Sequence, residues 1–187
     1  MPSSSTATLV SEHRAYTFPM GNLATPQALI ARWSELCRDS SLNDLPYKVE
    51  LNARGKLELT PRTNRRGLLA AKLACELQQQ LPEGMVAISC GVLTANAVRA
   101  PDVIWASAPL MNAYKDADLF ERAPEICVEV CTPDGEEKVG EYLQAGAKEA
   151  WVVGEEGAIR YFDSSGERSQ SAFPVTVTLS LPIWALS

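Results

Sequence analysis

The stretch 124–154, PEICVEVCTPDGEEKVGEYLQAGAKEAWVVG, reads as a strand, a helix and a second strand in unbroken succession. In 125–131 a two-residue period places Ile126, Val128 and Val130 on one face and Glu125, Cys127, Glu129 and Cys131 on the other. Pro133 and Gly135 close that strand. EEKVGEYLQAG follows as a helix whose Val139, Tyr142, Leu143 and Gly146 form the face toward the sheet, with Gly146 near its C-cap. EAWVVG is the returning strand. Two strands joined through a helix predict a parallel crossover, and hence an α/β fold. Glu129 is the anomaly, because an ionised carboxylate in an apolar strand is costly unless it is paired or bound to a metal. A buried Arg or Lys neighbour would meet the need, and so would a divalent cation.

Upstream, TPQALIARWSELCRDSS predicts a helix over 25–41, capped by Thr25 with Pro26 at its first position and apolar residues at helical spacing. YKVELNARGKLELTP alternates on both sides of NARG and predicts a β-hairpin, with Tyr47, Val49, Leu51, Leu57 and Leu59 as its apolar set. A second helix runs from about 66 to 80. MVAISCGVLT and APDVIWAS form a second hairpin across ANAVR, and AIRYFD and VTVTLSL are further short strands. The order predicts a mixed β-sheet flanked by helices, with β-hairpins. Residues 1–20 read as an N-terminal arm carrying the single histidine, His13, to which no chemistry is assigned, and 21–187 as one domain. Trp105, Trp151 and Trp184 are expected in the core.

The 187 residues suffice for a sizeable core, and 46% hydrophobic with 21% charged residues is an ordinary globular composition. No apolar run is long enough to span a bilayer and no secretory leader is legible, so a cytoplasmic protein is expected, without membrane partners. Five cysteines in apolar contexts suit reduced thiols. The net charge of −6 disfavours indiscriminate nucleic-acid binding, yet seven basic residues face only Glu50 and Glu58 between Lys48 and Lys72. The run RTNRR, with Arg62, Arg65 and Arg66, suits contact with a phosphate backbone or a solvated loop.

A second carboxylate enters a strand at Asp102, in RAPDVIWAS. Two carboxylates from neighbouring strands, with a backbone carbonyl and waters, match the hard-oxygen shell of Mg²⁺ and a phosphate substrate. A lysine nearby would help poise the attacking water. Counting rise per residue along the strand and back along the helix brings Lys138 to the level of Glu129, beside Tyr142. A surface pairing of Lys138 with Glu141 fits the spacing equally. Cys127 and Cys131 beside Glu129 suggest zinc only faintly, since two thiolates do not make a four-ligand site. GEEGAIRYFDSSG lacks the strand-to-helix setting of a phosphate loop.

The succession KVEL, LELTP, RAPDVIW, APEICVEVCTP and KVGEYLQAGAKEAWVV, over roughly 45–163, resembles the Uma2 family of restriction-endonuclease-like proteins in the PD-(D/E)XK nuclease superfamily. The resemblance implies a restriction-endonuclease-like fold and cleavage of DNA with Mg²⁺ or Mn²⁺. It implies Asp102 and Glu129 as metal ligands, with the Val130 carbonyl, and Lys138 as the catalytic lysine. Where the commonest superfamily pattern has that lysine two residues after the acid, this chain has Cys131; Lys138 stands four residues before Tyr142, as in the family resembled. Glu50 matches an early acidic position, and cross-strand ion pairs among Lys48, Glu50, Lys56 and Glu58 would explain it equally. The histidine that many relatives carry near RTNRR is absent. Two other readings stay open: a catalytically silent nuclease-fold module that binds or assembles, as a homodimer, and a metal-dependent hydrolase of smaller phosphate esters.

Overall fold

The structure is a computed structural model that describes residues 24–42 and 45–179. The arm at 1–20 with His13, Trp184 and the end of VTVTLSL lie outside the described residues. Helix α1 (Pro26–Cys37) begins at Thr25, whose side chain accepts the Ala28 N–H, and buries Leu29, Trp33 and Leu36. Strands β1 (Tyr47–Leu51) and β2 (Leu57–Pro61) pair antiparallel as expected. Their turn is set by Asn52, whose Oδ1 accepts the N–H groups of Arg54 and Lys56, and by Gly55 at a φ of 67°. Helix α2 (Asn64–Gln80) is capped by Thr63 and buries Arg66, Leu69, Leu73 and Leu77 along one stripe.

The second expected hairpin divides between two sheets. MVAISCGVLT breaks at Ser89, which has a φ of 53°, into β3 (Gly84–Ile88) and β4 (Val92–Leu93). Strand β4 pairs with β5 (Val98–Arg99) in the smaller sheet, while β3 pairs with β6 (Val103–Ser107) in the larger. The chain thus steps from one sheet to the other and back. Gly84 lets β3 start against β6, because a Cβ there would lie 2.4 Å from the Ala106 carbonyl oxygen and the Trp105 ring. After β6 comes α3 (Ala108–Tyr114), a short helix the sequence reading missed, with Pro109 in its first turn.

Strand β7 (Ile126–Val130), α4 (Gly135–Gln144) and β8 (Glu149–Val153) form the predicted crossover, and β7 pairs parallel with β8. Strands β9 (Ile159–Asp163) and β10 (Gly166–Arg168) complete the larger sheet. Its order is β10-β9-β8-β7-β6-β3, and that of the smaller sheet is β2-β1-β5-β4. VTVTLSL forms no strand over 175–179: Val175, Val177 and Leu179 pack on the core as their alternation demands. The Gln80 side-chain amide, not a neighbouring strand, bonds both the N–H and the carbonyl of Thr176.

Helix α2 and one face of the larger sheet enclose Leu69, Leu73, Leu77, Leu81, Trp105, Val128 and Trp151. The opposite face meets Val139 and Tyr142 of α4 through Ile104, Cys127 and Ala150. A third cluster, Leu29, Trp33, Leu36, Leu51 and Val98, joins α1 to the smaller sheet. Each fully buried leucine among these contributes about 1.5–3 kcal/mol. The hairpin β1–β2 departs from its apolar pattern: Leu51 is buried, but Tyr47, Leu57 and Leu59 are exposed, whereas Lys48 and Glu50 are buried. What draws the charged face inward lies between the two sheets.

Candidate active site

Asp102 and Glu129 come from adjacent strands of the larger sheet. Each lies one residue beyond the paired Val103 and Val128, and the Asp102 N–H donates to the Val128 carbonyl at 2.8 Å. Glu50 and Lys48 arrive on β1 of the smaller sheet, Arg66 on the first turn of α2 and Lys138 on α4. All six side chains are buried. Sequence analysis proposed five of them in site roles; Lys48, the sixth, it assigned only to hairpin ion pairs.

The cluster is closed by short charge-assisted bonds. Lys48 Nζ lies 2.7 Å from Glu129 Oε2, and Lys138 Nζ lies 2.7 Å from Glu50 Oε2. Arg66 grips Asp102 with Nε to Oδ1 at 2.9 Å and Nη2 to Oδ1 and Oδ2 at 2.6 and 2.9 Å. Each carboxylate is also held by a neutral donor. The Ala100 N–H reaches Glu50 Oε1 at 2.9 Å, the Val130 N–H reaches Asp102 Oδ2 at 2.7 Å, and the Tyr142 hydroxyl reaches Glu129 Oε1 at 2.6 Å. The Thr132 hydroxyl donates to Glu129 Oε2 at 2.8 Å. Val130 therefore meets the site through its amide, while its carbonyl lies 3.2 Å from the Thr132 hydroxyl, whose one proton goes to Glu129.

These contacts answer the question raised by Glu129. Its immediate partner is a buried lysine, delivered from the other sheet. The hairpin ion pairs expected among Lys48, Glu50, Lys56 and Glu58 are replaced at short range by contacts across the sheets, and Glu58 turns to Arg99 at 2.8 Å. Lys138 pairs with Glu50 and not with Glu141, which is held by Arg99. Cys131 has a φ of 49° and packs against the α2 side, while Cys127 lies in the α4 cluster, so the two thiols do not flank Glu129 on a common face.

Burial raises the Asp102 carboxyl above its ordinary range, with the Glu129 charge adding to the rise and Lys48 and Arg66 opposing it. Burial acts the same way on Glu129, but Lys48, Lys138 and the Tyr142 hydroxyl outweigh it and hold that group below its ordinary value. Desolvation would lower Lys138, yet Glu129 and Glu50 hold it raised and charged. Burial and the same two carboxylates push the Tyr142 phenol well up, so it serves as a neutral donor.

The donor set suits a hard divalent cation. Three carboxylates converge on one point, and a cation, the Lys48 ammonium, stands there at 2.7 Å from Glu129, 3.7 Å from Glu50 and 3.8 Å from Asp102. Among the described residues no three metal-ligating side chains are drawn to coordination distance. The carboxylates are spread around the ammonium. Two clefts of about 180 Å³ each adjoin the cluster. One is lined by Lys48 with Trp33, Tyr47 and Ala100, the other by Arg66 and Asp102 with Thr63 and Gly67. Arg62 and Ser89 border both. Arg62 is exposed, Arg65 is half-buried and bonded to the Glu155 carbonyl, and Arg66 alone of the three is fully turned inside.

No helix among the described residues is long and apolar enough to cross a membrane. No curated protein matches the chain. A crystal structure of a putative nuclease belonging to DUF820, from Anabaena variabilis ATCC 29413, superposes with a TM-score of 0.57 at 13% identity, covering 74% of this chain and 80% of that one. At that identity the likeness speaks for the fold, a restriction-endonuclease-like one. The model of the Uma2 family, described as putative restriction endonuclease, matches residues 35–184, which takes in both sheets and all six charged residues. The chain belongs to the Uma2 family.

Proposed function

We propose that this protein is a metal-dependent endonuclease that hydrolyses DNA phosphodiester bonds at the cluster of Glu50, Asp102, Glu129 and Lys138. The observation that carries the reading is the convergence of three carboxylates on one cation position beside a cleft edged by arginine. Mg²⁺ or Mn²⁺ held by Asp102, Glu129 and Glu50 would acidify a water and offset charge on the phosphate. Lys138, kept charged by its acidic neighbours, stabilises negative charge developing at the phosphate. Tyr142 and Thr132 fix the Glu129 carboxylate, and Arg66 fixes Asp102. Arg62 and Arg65, on the open side, contact the DNA backbone.

The test is cleavage of supercoiled plasmid and single-stranded DNA with Mg²⁺, Mn²⁺ or EDTA by the wild type, Glu129→Ala and Lys138→Ala. Metal-dependent cutting that falls about a hundredfold or more in both variants is expected. Full metal-dependent cleavage by Glu129→Ala would sink the proposal. One observation favours a second reading, a non-cleaving binding or assembly module that forms a homodimer: every carboxylate oxygen of the cluster already has a donor within the chain. Gel filtration and DNA titration across salt test it, since phosphate contacts leave a salt-dependent signature.

A further inference from the structure

We infer that Lys48 is the resident cation of this site, and that a divalent metal enters only by exchange with its ammonium, which withdraws into the adjoining cleft. The inference rests on the metal-site reading above. The Lys48 ammonium is the one group of the cluster within 4 Å of all three carboxylates, at 2.7, 3.7 and 3.8 Å. A metal gathering oxygens from the same three side chains would occupy the same place. Two cations cannot share it, because like charges a few ångströms apart in a buried site repel strongly.

The other two cations are fixed differently. Arg66 is locked by its two-pronged grip on Asp102, and Lys138 is held between Glu50 at 2.7 Å and Asp134 at 3.4 Å. Lys48 has somewhere to go: it lines the cleft of about 180 Å³ whose walls include Trp33, Tyr47 and Arg62. A flexible four-carbon stem can lie along such an apolar wall while its ammonium reaches water. Exchange also changes the charge of the site. With Lys48 in place, three cations balance three carboxylates. With a divalent ion in its stead, Arg66 and Lys138 remain and the balance becomes positive by one, a field that draws in a phosphate. Metal loading and substrate attraction are thereby one event.

Mn²⁺ binding to the wild type and to Lys48→Met, followed by calorimetry and by the electron paramagnetic resonance of free Mn²⁺, tests the exchange. The variant should bind about tenfold or more tightly, since the competitor no longer holds the binding-competent state at low population. Circular dichroism establishes whether the variant is folded. A second measurement needs no variant: acylation of lysine amines in the wild type with and without Mg²⁺, read by mass spectrometry. Lys48 should become several-fold more reactive with metal, while Lys138 stays protected. Metal binding with Lys48 labelling unchanged, or a folded Lys48→Met that binds no tighter, overturns the exchange alone. If neither protein binds metal, the metal-site reading falls as well. Metal binding that Glu129→Gln abolishes and Lys48→Met strengthens supports both.

Discussion

Replacing Arg66 by Met leaves a shape-compatible, uncharged chain against Asp102 and removes three short contacts at 2.6 to 2.9 Å. Breaking one side of a buried pair costs about 3–5 kcal/mol, because the remaining charge stays desolvated. Asp102 keeps the Val130 N–H at 2.7 Å and the Lys48 ammonium at 3.8 Å, which places the expected loss near the lower end, about 3 kcal/mol. For a chain of this size that corresponds to a melting temperature lower by about 6–12 °C. Urea denaturation in metal-free buffer measures it, together with Asp102→Asn and the double variant. A positive coupling of about 1–3 kcal/mol between the two positions is expected. A loss below about 1 kcal/mol, the size of an exposed pair, or the absence of coupling would refute the claim that the cluster is desolvated.

Glu125 offers a pH test. Burial would raise its pKa, but the Ser107 hydroxyl and amide hold it below the ordinary value of 4.5. A depressed carboxyl stabilises the fold above its unfolded value, and that stability is lost as pH falls below 4.5 through the folded value. Glu125→Gln should therefore flatten the acid limb of a stability-against-pH curve; an unchanged limb counts against the assignment. Glu149 is buried and accepts from Trp151 Nε1, Ser171 Oγ and the Ala172 N–H at 2.6 to 2.7 Å. Glu149→Ala strands those donors at about 1–3 kcal/mol apiece, and hydrogen exchange over 172–179 should quicken; unaltered exchange there would remove Glu149 as the anchor of that segment.

The crossover was legible because 124–154 carries its own punctuation: Pro133, Gly135 and Gly146 mark turns, and period two gives way to helical spacing and back. Asp102, Glu129 and Lys138 were legible for a related reason, as charges placed where apolar periodicity forbids them. Arg66 carries the same signal, although the basic run RTNRR around it reads as a phosphate contact or a solvated loop. It lies on the stripe of Leu69, Leu73 and Leu77, so helical spacing alone places it inside. Lys48 gave no local signal. In YKVEL the alternation fits either face inward, and the choice is made by Glu129, 81 residues further on. The division of MVAISCGVLT between two sheets was hidden in the same way, since the break depends on the backbone at Ser89, where no glycine or proline stands.

The three short ion pairs join positions 36, 81 and 88 residues apart in the chain. The Arg66 pair closes only once α2 has docked on the larger sheet, and the Lys48 and Lys138 pairs only once the two sheets have met, so until then these charges stay hydrated. A step that follows the transition state leaves the folding rate untouched and governs how fast the native form opens. Closed after the transition state, the cluster would act as a latch: it would add little speed to assembly and lengthen the lifetime of the assembled molecule.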